Sequence, residues 1–337
     1  MAEARTGRGG RRTSPLWARL LVWVGVVLVV LSGGTMAAGA VLEHRYDSSV
    51  HRADLIDGSA GHEVIDGAFN YLLLGSDKRP TDSTDDLGRS DTIMIAHVTA
   101  DHRHAYLISI PRDLWVPIDD CGQGSGCESK INAAYDFGGP KLTARTVEQL
   151  TGVSLDGMVI VSFQGFDKVV DALGGIRLCV DERTRSIHTG RLFTVGCHHF
   201  TGAEALDYVR QREDLPDGDY GRQRHQQQLI KAAAARAEHE GLLSNPAKLD
   251  KVVRAIGDDL TVDTNGVALP DLVFSLRRVS GSDITMLRLP EIDGYSPDGQ
   301  AIQQLDDTGR SLFTAIREDD LGTWAAAHPT LVNKNAA

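Results

Sequence analysis

A short segment of this chain, YVRQREDLPDGDYGRQRHQQQLI, concentrates side chains of the types that bind phosphate. The candidates for chemistry within it are Arg210, Arg212, Asp219, Arg222 and Gln226. An arginine guanidinium is a planar fork of donors that matches two phosphate oxygens. Arg222 and Gln226 are four residues apart, so in a helix they project from the same face. Clustered guanidiniums repel one another unless an anion lies between them, which predicts an anion site; the alternative is a solvated helix with ordinary ion pairs.

A second set of charged residues lies upstream, where apolar segments begin or end. Asp77 closes NYLLLGSD, Asp91 opens DTIMIAHV, and Arg112 follows AYLISIP. The apolar, β-branched runs predict strands, and α/β proteins collect ligand-binding groups at strand ends. Two carboxylates at neighbouring strand ends suit Mg²⁺, which takes one or two carboxylates besides phosphate and water oxygens. The alternative is that each aspartate only shapes a turn.

Alternating strand-like and helix-like segments must position these residues. The predicted strands are Tyr71–Leu74, Thr92–Val98, Ala105–Ile110, Gly157–Ser162, Ile176–Val180 and Ile284–Leu289. The predicted helices are Lys141–Leu150, Phe163–Leu173, Gly202–Arg210, Arg222–Glu240, Pro246–Ile256 and Asn265–Val279. This alternation predicts an α/β fold in which a central mixed β-sheet is covered by helices on both faces. We expect a stalk over residues 43–67, a single domain over 68–322 and a flexible tail over 323–337.

Six motifs, in this order, resemble the LytR-CpsA-Psr family of cell-envelope proteins. They are LLLGSD at Leu72–Asp77, RSDT at Arg89–Thr92, SIPRD at Ser109–Asp113, KINAAY at Lys130–Tyr135, DALGG at Asp171–Gly175, and the block Tyr208–Gln227. The resemblance covers roughly residues 69–240, and six ordered motifs are far more specific than any one of them. This chain departs from the family at His225, where a second arginine is common. Arg224 would project about 100° away from that position and cannot replace it.

The resemblance implies a phosphotransferase that moves a glycopolymer from a polyprenyl pyrophosphate lipid to a muramyl hydroxyl of peptidoglycan, forming a phosphodiester. It implies Mg²⁺ as cofactor, held by Asp77 and Asp91. The residues it implies for binding the pyrophosphate are Arg89, Arg112, Lys130, Arg210, Arg212, Arg222 and Gln226. Asp219, Arg112 and Arg222 become the catalytic candidates, with Asp219 accepting the hydroxyl proton. The alternative role of Asp219 is to cap the helix that opens near Gly221.

The lipid chain of such a donor requires an apolar slot. The candidates to line it are Val159, Val161, Phe163, Phe166, Val169 and Val170. The alternative is that these side chains are ordinary core.

The amino terminus predicts attachment to the cell membrane. Five arginines against one glutamate give the first twenty residues a net charge of +4, and the 23 residues Leu20–Leu42 carry no charge. That length spans about 30 Å of hydrocarbon, and the flanking arginines predict a cytoplasmic tail at 1–19, a single span at 20–42 and an extracellular catalytic domain. A cleavable signal peptide that ends at Ala38-Gly39-Ala40 is the alternative. The basic start is explained by topology, so no nucleic-acid partner is expected.

Four cysteines suit an oxidising compartment. We expect the disulfides Cys121–Cys127, around a short flexible loop, and Cys179–Cys197, although four cysteines permit three connectivities. A metal site is the alternative, but the spacing matches no zinc pattern.

Two other functions share these features. A hydrolase of polyprenyl pyrophosphates would use the same cationic site with water as the acceptor. A non-enzymatic envelope sensor or transcription attenuator is the third possibility, disfavoured by a cytoplasmic tail of fewer than twenty residues.

Overall fold

A seven-stranded mixed sheet forms the centre of the fold. The computed structural model describes residues 51–56, 67–76, 90–122, 124–213, 215–242, 245–267, 271–272 and 275–333, all within the unit Tyr46–Ala337. The strands among the described residues, in the main sheet and outside it, are β1 His51–Arg52, β2 Phe69–Ser76, β3 Ser90–Val98, β4 Ala105–Ile110, β5 Trp115–Ile118, β6 Cys127–Lys130, β7 Gly157–Ser162, β8 Ile176–Val180, β9 Thr184–Arg185, β10 Leu192–Phe193, β11 Gly196–Phe200, β12 Leu260–Asp263, β13 Ile284–Arg288, β14 Glu291–Tyr295 and β15 Ala301–Leu305.

The strand order of the sheet is β1-β12-β7-β2-β3-β4-β13. Neighbours are parallel in the pairs β1–β12, β7–β2 and β4–β13, and antiparallel in the other three. The predicted central mixed sheet is therefore confirmed. All six residues of β4 are buried, as expected for an inner strand covered on both faces. The remaining strands form two-stranded ribbons, β5–β6, β8–β11, β9–β10 and β14–β15.

The helices are α1 Ala133–Thr151, α2 Phe163–Ala172, α3 Gly202–Val209, α4 Asp219–His239, α5 Pro246–Ile256, α6 Asp307–Arg317 and α7 Leu321–Ala327. Helix α1 is kinked where Gly138 and Gly139 leave helical dihedrals just before Pro140, because proline disfavours helical geometry in the residue before it. The helix predicted at Lys141–Leu150 is therefore only the part after the kink. The helix predicted at Asn265–Val279 falls partly outside the described residues, and its described end, Leu276–Arg278, is a 3₁₀ turn.

Helices cover both faces of the sheet. On one face, α1, α6 and α7 pack on buried sheet residues such as Leu72, Ile95 and Ile108. On the other face, Ile230 and Ala234 of α4 pack on a cluster that includes Leu107 and Met286. A further core joins α2, α3, α4 and α5 to the β8–β11 ribbon.

Two predicted boundaries were wrong. Part of the predicted stalk belongs to the domain, because β1 pairs with β12 and Ile56 is buried in the core. The predicted flexible tail begins inside α7, where Trp324 is only 7% exposed. Beyond α7 the chain returns to the sheet, and Asn333 N–H donates to the Met286 carbonyl. The tail was predicted to be flexible because most of its residues are small, but the large side chain of Trp324 packs into the core.

Both expected cysteine pairs are brought to disulfide distance, Cys121 with Cys127 and Cys179 with Cys197. Cys179 and Cys197 stand opposite each other in the β8–β11 ribbon.

Among the helices in the described part of the chain, none is both long and apolar enough to cross a bilayer. The span predicted at residues 20–42 lies outside the described residues.

Candidate functional site

The carboxyl ends of four strands lie on one edge of the sheet. Strands β2, β4, β7 and β13 run in one direction, since β3 is antiparallel to β2 and β4 while β7 and β13 are parallel to them. Their last residues therefore share an edge with the first residue of β3, Ser90. Arg112 follows β4 by two residues and reaches this edge. Asp77, which follows Ser76 in the sequence, and Arg89, which precedes Ser90, lie outside the described residues.

Asp91 occupies a β-bulge at this edge. Gly75 pairs with Thr92 and Ser76 pairs with Ser90, so Asp91 is the extra residue of β3. A Cβ on Gly75 would lie 2.9 Å from Thr92 Cβ, so the close approach of the two strands requires glycine. Bulges re-aim side chains and are frequent beside active sites. The Asp91 backbone thus lies beside the end of β2, while its side chain is outside the description.

Asp219 joins two of the predicted arginines. Its Oδ1 lies 2.6 Å from Nη2 of Arg222 and 3.9 Å from Nε of Arg112. The side-chain amide of Gln223 donates to Asp219 Oδ2 over 2.9 Å. Arg222 is only 5% exposed, so this charge is held inside the protein. We call Arg112, Asp219, Arg222 and Gln223 the Asp219 cluster; the sequence predicted its two arginines and its carboxylate.

Helix α4 begins at Asp219. The residue before it, Gly218, has φ 55° and is the N-cap, without a side-chain cap; glycine is the residue that adopts this conformation without strain. Asp219 is therefore the first helical residue, and the alternative role as N-cap was wrong. A carboxylate in the first turn is stabilised by the helix dipole, and Arg222 lies one turn further on.

Lys130 joins the cluster through Asp113. Lys130 Nζ lies 2.8 Å from Asp113 Oδ1, and Asp113 Oδ2 lies 3.5 Å from Arg112 Nε. The backbone holds the pair in place, because Asn132 N–H donates to the Arg112 carbonyl. Asp113 belongs to the SIPRD motif but was not assigned a role from the sequence. Its position directly after Arg112 was the signal available.

The other predicted pyrophosphate residues stand apart from the cluster. Arg210 follows α3, and its guanidinium lies 4.7 Å from the centre of the Phe163 ring. Arg212 is exposed in the turn that follows. Gln226 is half-buried one turn after Arg222. Within the described residues, no hydrogen bond or ion pair connects these three side chains to Asp219.

The next residues of α4 have structural partners. The buried Gln227 amide donates to the carbonyls of Leu107 and Leu287 and so bridges β4 and β13. Arg224 Nε lies 2.9 Å from Asp181 Oδ2, and Arg224 also pairs with Asp217. His225 is 1% exposed, stacks on the Tyr208 ring at a centroid distance of 4.3 Å and lies 3.3 Å from Asp181 Oδ1 through its Nε2.

The candidates for the lipid slot divide between core and partly exposed surface. Val170 is fully buried, and Phe166 and Val169 pack beside it in the core that joins α2 to α5. Val159 of β7 packs against the cluster on the second face of the sheet and is half-buried, as are Val161 and Phe163. The core interpretation therefore holds for Val170, and the half-buried residues retain accessible apolar surface.

One acid near the cluster was missed by sequence reasoning. Glu291 opens β14 just beyond the end of β13, and its side chain is 0% exposed. Burial, followed by the charges of Asp293, Asp306 and Asp219, raises the pKa of Glu291 to about 8. Nothing in the local sequence LPEIDG indicates this, because the burial comes from segments distant in the chain.

The predicted Mg²⁺ ligands, Asp77 and Asp91, are only partly among the described residues. Asp77 and the Asp91 side chain are outside them, and the described residues contain no group of three or more acidic, histidine or cysteine side chains that could hold a metal. The two predicted ligands fit the ion by residue type, because carboxylate oxygens are ligands that Mg²⁺ takes together with phosphate and water oxygens.

Comparison with known proteins identifies the family. The model of the LytR_cpsA_psr family matches residues 39–315. The chain belongs to this family. The cell wall biosynthesis protein LcpA of Corynebacterium glutamicum is 28% identical over 335 residues, which cover 87% of this chain and 63% of LcpA. The polyisoprenyl-teichoic acid–peptidoglycan teichoic acid transferase TagU of Bacillus cereus is 32% identical over 254 residues, which cover 73% of this chain and 80% of TagU.

Solved structures share the fold. The crystal structure of Bacillus subtilis TagV is 28% identical, with a TM-score of 0.61 over 76% of this chain and 98% of that one. TagT bound to LIIa-WTA is 26% identical, with a TM-score of 0.58 over 76% of this chain and 91% of that one.

Proposed function

We propose that this protein transfers a glycopolymer from a polyprenyl pyrophosphate carrier to a hydroxyl of peptidoglycan, forming a phosphodiester. The observation that carries the proposal is the Asp219 cluster, in which a buried arginine, Arg222, and a second arginine, Arg112, which follows the carboxyl end of β4, meet a carboxylate. The names of the relatives LcpA and TagU support cell-wall assembly and transfer to peptidoglycan as the general activity.

One buried guanidinium, Arg222, and one half-buried guanidinium, Arg112, favour a ligand with concentrated negative charge. The pyrophosphate diester of a lipid-linked glycan is such a ligand, because each of its two adjacent phosphate groups carries one negative charge. Phosphoryl transfer depends mainly on positioning and on charge stabilisation, which fixed guanidiniums supply. Arg112 and Arg222 would bind the non-bridging oxygens, and Lys130 lies beside them through Asp113. Arg89, Arg210, Arg212 and Gln226 remain the further contacts that the sequence predicts for the donor.

The reaction exchanges one phosphorus–oxygen bond for another. The acceptor hydroxyl oxygen bonds to the phosphorus that bears the glycan, and the bond from that phosphorus to the bridging oxygen breaks. Polyprenyl phosphate leaves with the electron pair of the broken bond. The hydroxyl proton passes to Asp219, which lies beside both arginines. Gln223 orients Asp219 by donating to its second oxygen.

Mg²⁺ is the proposed cofactor, held by Asp77 and Asp91. When bound, the ion would neutralise charge that develops on the phosphate oxygens. The Asp91 bulge is the described feature that supports this placement. We further propose that the protein acts at the outer face of the cell membrane, anchored by residues 20–42, where lipid-linked glycans and peptidoglycan meet.

The deciding experiment incubates the full-length protein with a lipid-linked oligosaccharide and peptidoglycan oligomers, with and without Mg²⁺, and identifies the products by mass. We expect a phosphodiester-linked product that requires the metal. Asp219→Asn should reduce its rate by roughly 100-fold, the lower end of losses seen when a positioned base is removed. Asp77→Asn and Asp91→Asn keep the turn-forming hydrogen bonds but remove the negative charge that a hard cation needs, so they should weaken the Mg²⁺-dependent activity at little cost in stability.

Other products would point to other functions. Glycan phosphate released without attachment to peptidoglycan would identify a hydrolase. No turnover of any lipid-linked donor, with binding retained, would favour the sensor.

A further inference from the structure

Glu291 is a buried acid that the proposed reaction leaves without a role. Neither of its carboxyl oxygens has a hydrogen-bond partner among the described residues. Arg288 Nη2 lies 3.7 Å from Oε1, beyond hydrogen-bonding distance, and the Arg288 guanidinium is instead centred 3.5 Å over the Tyr220 ring. A buried carboxylate without hydrogen bonds is costly, so this environment favours the protonated form.

The charges around Glu291 act in the same direction. The charges of Asp293 on β14, Asp306 just before α6 and Asp219 at the start of α4 all disfavour an ionised Glu291. Arg288, at the end of β13, is the nearby cation, and the opposite residue on β15 is Leu305, which carries no charge. Burial and these three carboxylates together raise the pKa of Glu291 to about 8.

Glu291 and the anion site share one electrostatic environment. Asp219, which acts on Glu291, lies 2.6 Å from Arg222. A pyrophosphate bound at the arginines would add two negative charges to that environment. An ionised Glu291 would add a third and offset part of the attraction of the arginines. Linkage is reciprocal, so if the bound anion favours the proton on Glu291, that proton equally favours the anion.

We propose that the protein binds its anionic donor with Glu291 protonated, so that donor binding and proton retention at this carboxyl are coupled. The inference rests on the proposed function in one respect, that the donor is a pyrophosphate diester. Glu291 is a positioning residue in this scheme, because it acts through the charge balance at Asp219 and Arg222 and not through contact with the reacting atoms.

The test uses the full-length protein and geranyl-pyrophosphoryl hexose, a soluble diester whose two charges do not titrate near neutral pH. With a pKa of about 8, Glu291 is mostly protonated at pH ~7 and mostly ionised at pH ~9. The Kd of the wild type should therefore rise about tenfold between these values. Glu291→Gln, which is neutral throughout, should give the same Kd at both.

Asp307→Asn is the matched control. Asp307 is a neighbouring but fully exposed carboxylate, so this variant should keep the tenfold dependence of the wild type. Calorimetry of probe binding at pH ~8 in buffers of different ionisation enthalpy gives a second readout. Because about half of the Glu291 side chains are ionised there, the wild type should take up about half a proton per probe, and Glu291→Gln should take up none.

Stability gives a readout that needs no ligand. The pKa of Glu291 rises from its ordinary value of 4.5 to about 8 on folding, so the folded state binds this proton more tightly. Its stabilising effect is complete below pH 4.5 and is lost as the pH rises towards about 8. The unfolding free energy of the wild type relative to Glu291→Gln should fall across this window.

The outcomes separate the two proposals. Failure of the wild type to bind the probe at any pH would count against the pyrophosphate site itself. Binding with a Kd independent of pH in the wild type, or with equal pH dependence in wild type and Glu291→Gln, would overturn the role of Glu291 and leave the site intact. If Glu291→Gln does not fold, absence of proton uptake by the wild type is sufficient to overturn it.

Discussion

At the scale of single residues, two arginines on one helix have different partners. Arg222 is 5% exposed and pairs with Asp219, whereas Arg224 pairs with Asp181 and Asp217 on another side of α4. Arg222→Lys keeps the charge but loses the planar fork that binds two phosphate oxygens. We expect the rate of transfer to fall by roughly 100-fold, similar to the loss of one oxyanion donor. The melting temperature should stay within a few degrees of that of the wild type. Product formation and thermal unfolding measure the two quantities.

Arg224→Lys is the control for that substitution. A lysine can still pair with the two carboxylates that Arg224 contacts, so transfer should stay within about twofold of the wild type. Arg224→Ala is a poorer control, because it would leave both carboxylates without this partner. Equal losses of transfer in Arg222→Lys and Arg224→Lys would show that the direction of projection from α4 does not select the site.

Sequence reasoning reached the residues whose neighbours are also near in the chain. Arg222 and Asp219 lie three residues apart, so their ion pair follows from helical spacing. Glu291 lies 72 residues from Asp219 in the sequence, and its burial depends on packing that no local pattern encodes. Arg112 was predicted as a phosphate-binding residue. Its connection to Lys130 through Asp113 was not, because it depends on a backbone contact between segments that are apart in the sequence.

At the scale of elements, the β8–β11 ribbon is closed by the Cys179–Cys197 pair, and the β5–β6 ribbon is flanked by Cys121 and Cys127. The two pairs span 18 and 6 residues. Because a disulfide restricts the unfolded chain more when its loop is longer, replacing Cys179 and Cys197 by serine should cost about 3 kcal/mol. Urea unfolding of the full chain measures the loss.

The shorter pair provides the comparison. The Cys121→Ser/Cys127→Ser variant should cost about 1 kcal/mol less than the other double variant, since its loop is three times shorter. Four free thiols in the wild-type protein, found by alkylation before unfolding, would contradict both disulfides.

Strands were predicted better than the last helices. The bounds of β4, β7 and β8 match the predicted ones. In β4, burial on both faces leaves a continuous apolar run, and in β8 the buried residues alternate with more exposed ones, which is the period of a strand. Helix α6 carried a readable signal that was overlooked. Asp306 caps it by accepting from Gly309 N–H, and Leu312, Phe313 and Ile316 form a buried stripe. Helix α7 has two large buried residues, Leu321 and Trp324, among small ones, and periodicity is weak in so short a helix.

At the scale of the whole molecule, the protein is acidic and its proposed site is cationic. The net charge is −11, yet Arg112, Arg222 and Lys130 gather at one edge of the sheet. A pyrophosphate approaching from solution is repelled by the overall charge and attracted only within about one screening length, roughly 8–10 Å, of the arginines. A donor held in a membrane beside the site avoids this long approach. The charge distribution therefore agrees with a substrate delivered by the lipid surface.

The distribution of charge along the chain also predicts the topology. The first twenty residues have a net charge of +4, and the remainder of the chain has a net charge of −15. The 23 residues Leu20–Leu42, between the two charged parts, carry no charge. Arginines remain on the cytoplasmic side of a single span, so Tyr46–Ala337 should lie outside the cell, where cysteine pairs can be oxidised. Protease added to intact protoplasts should remove the large unit and leave only an anchored stub, whereas a cytoplasmic marker enzyme should survive. Full protection of the large unit would reverse the predicted orientation. A mature protein that begins near Val41 would show instead that the apolar segment is a cleaved signal peptide.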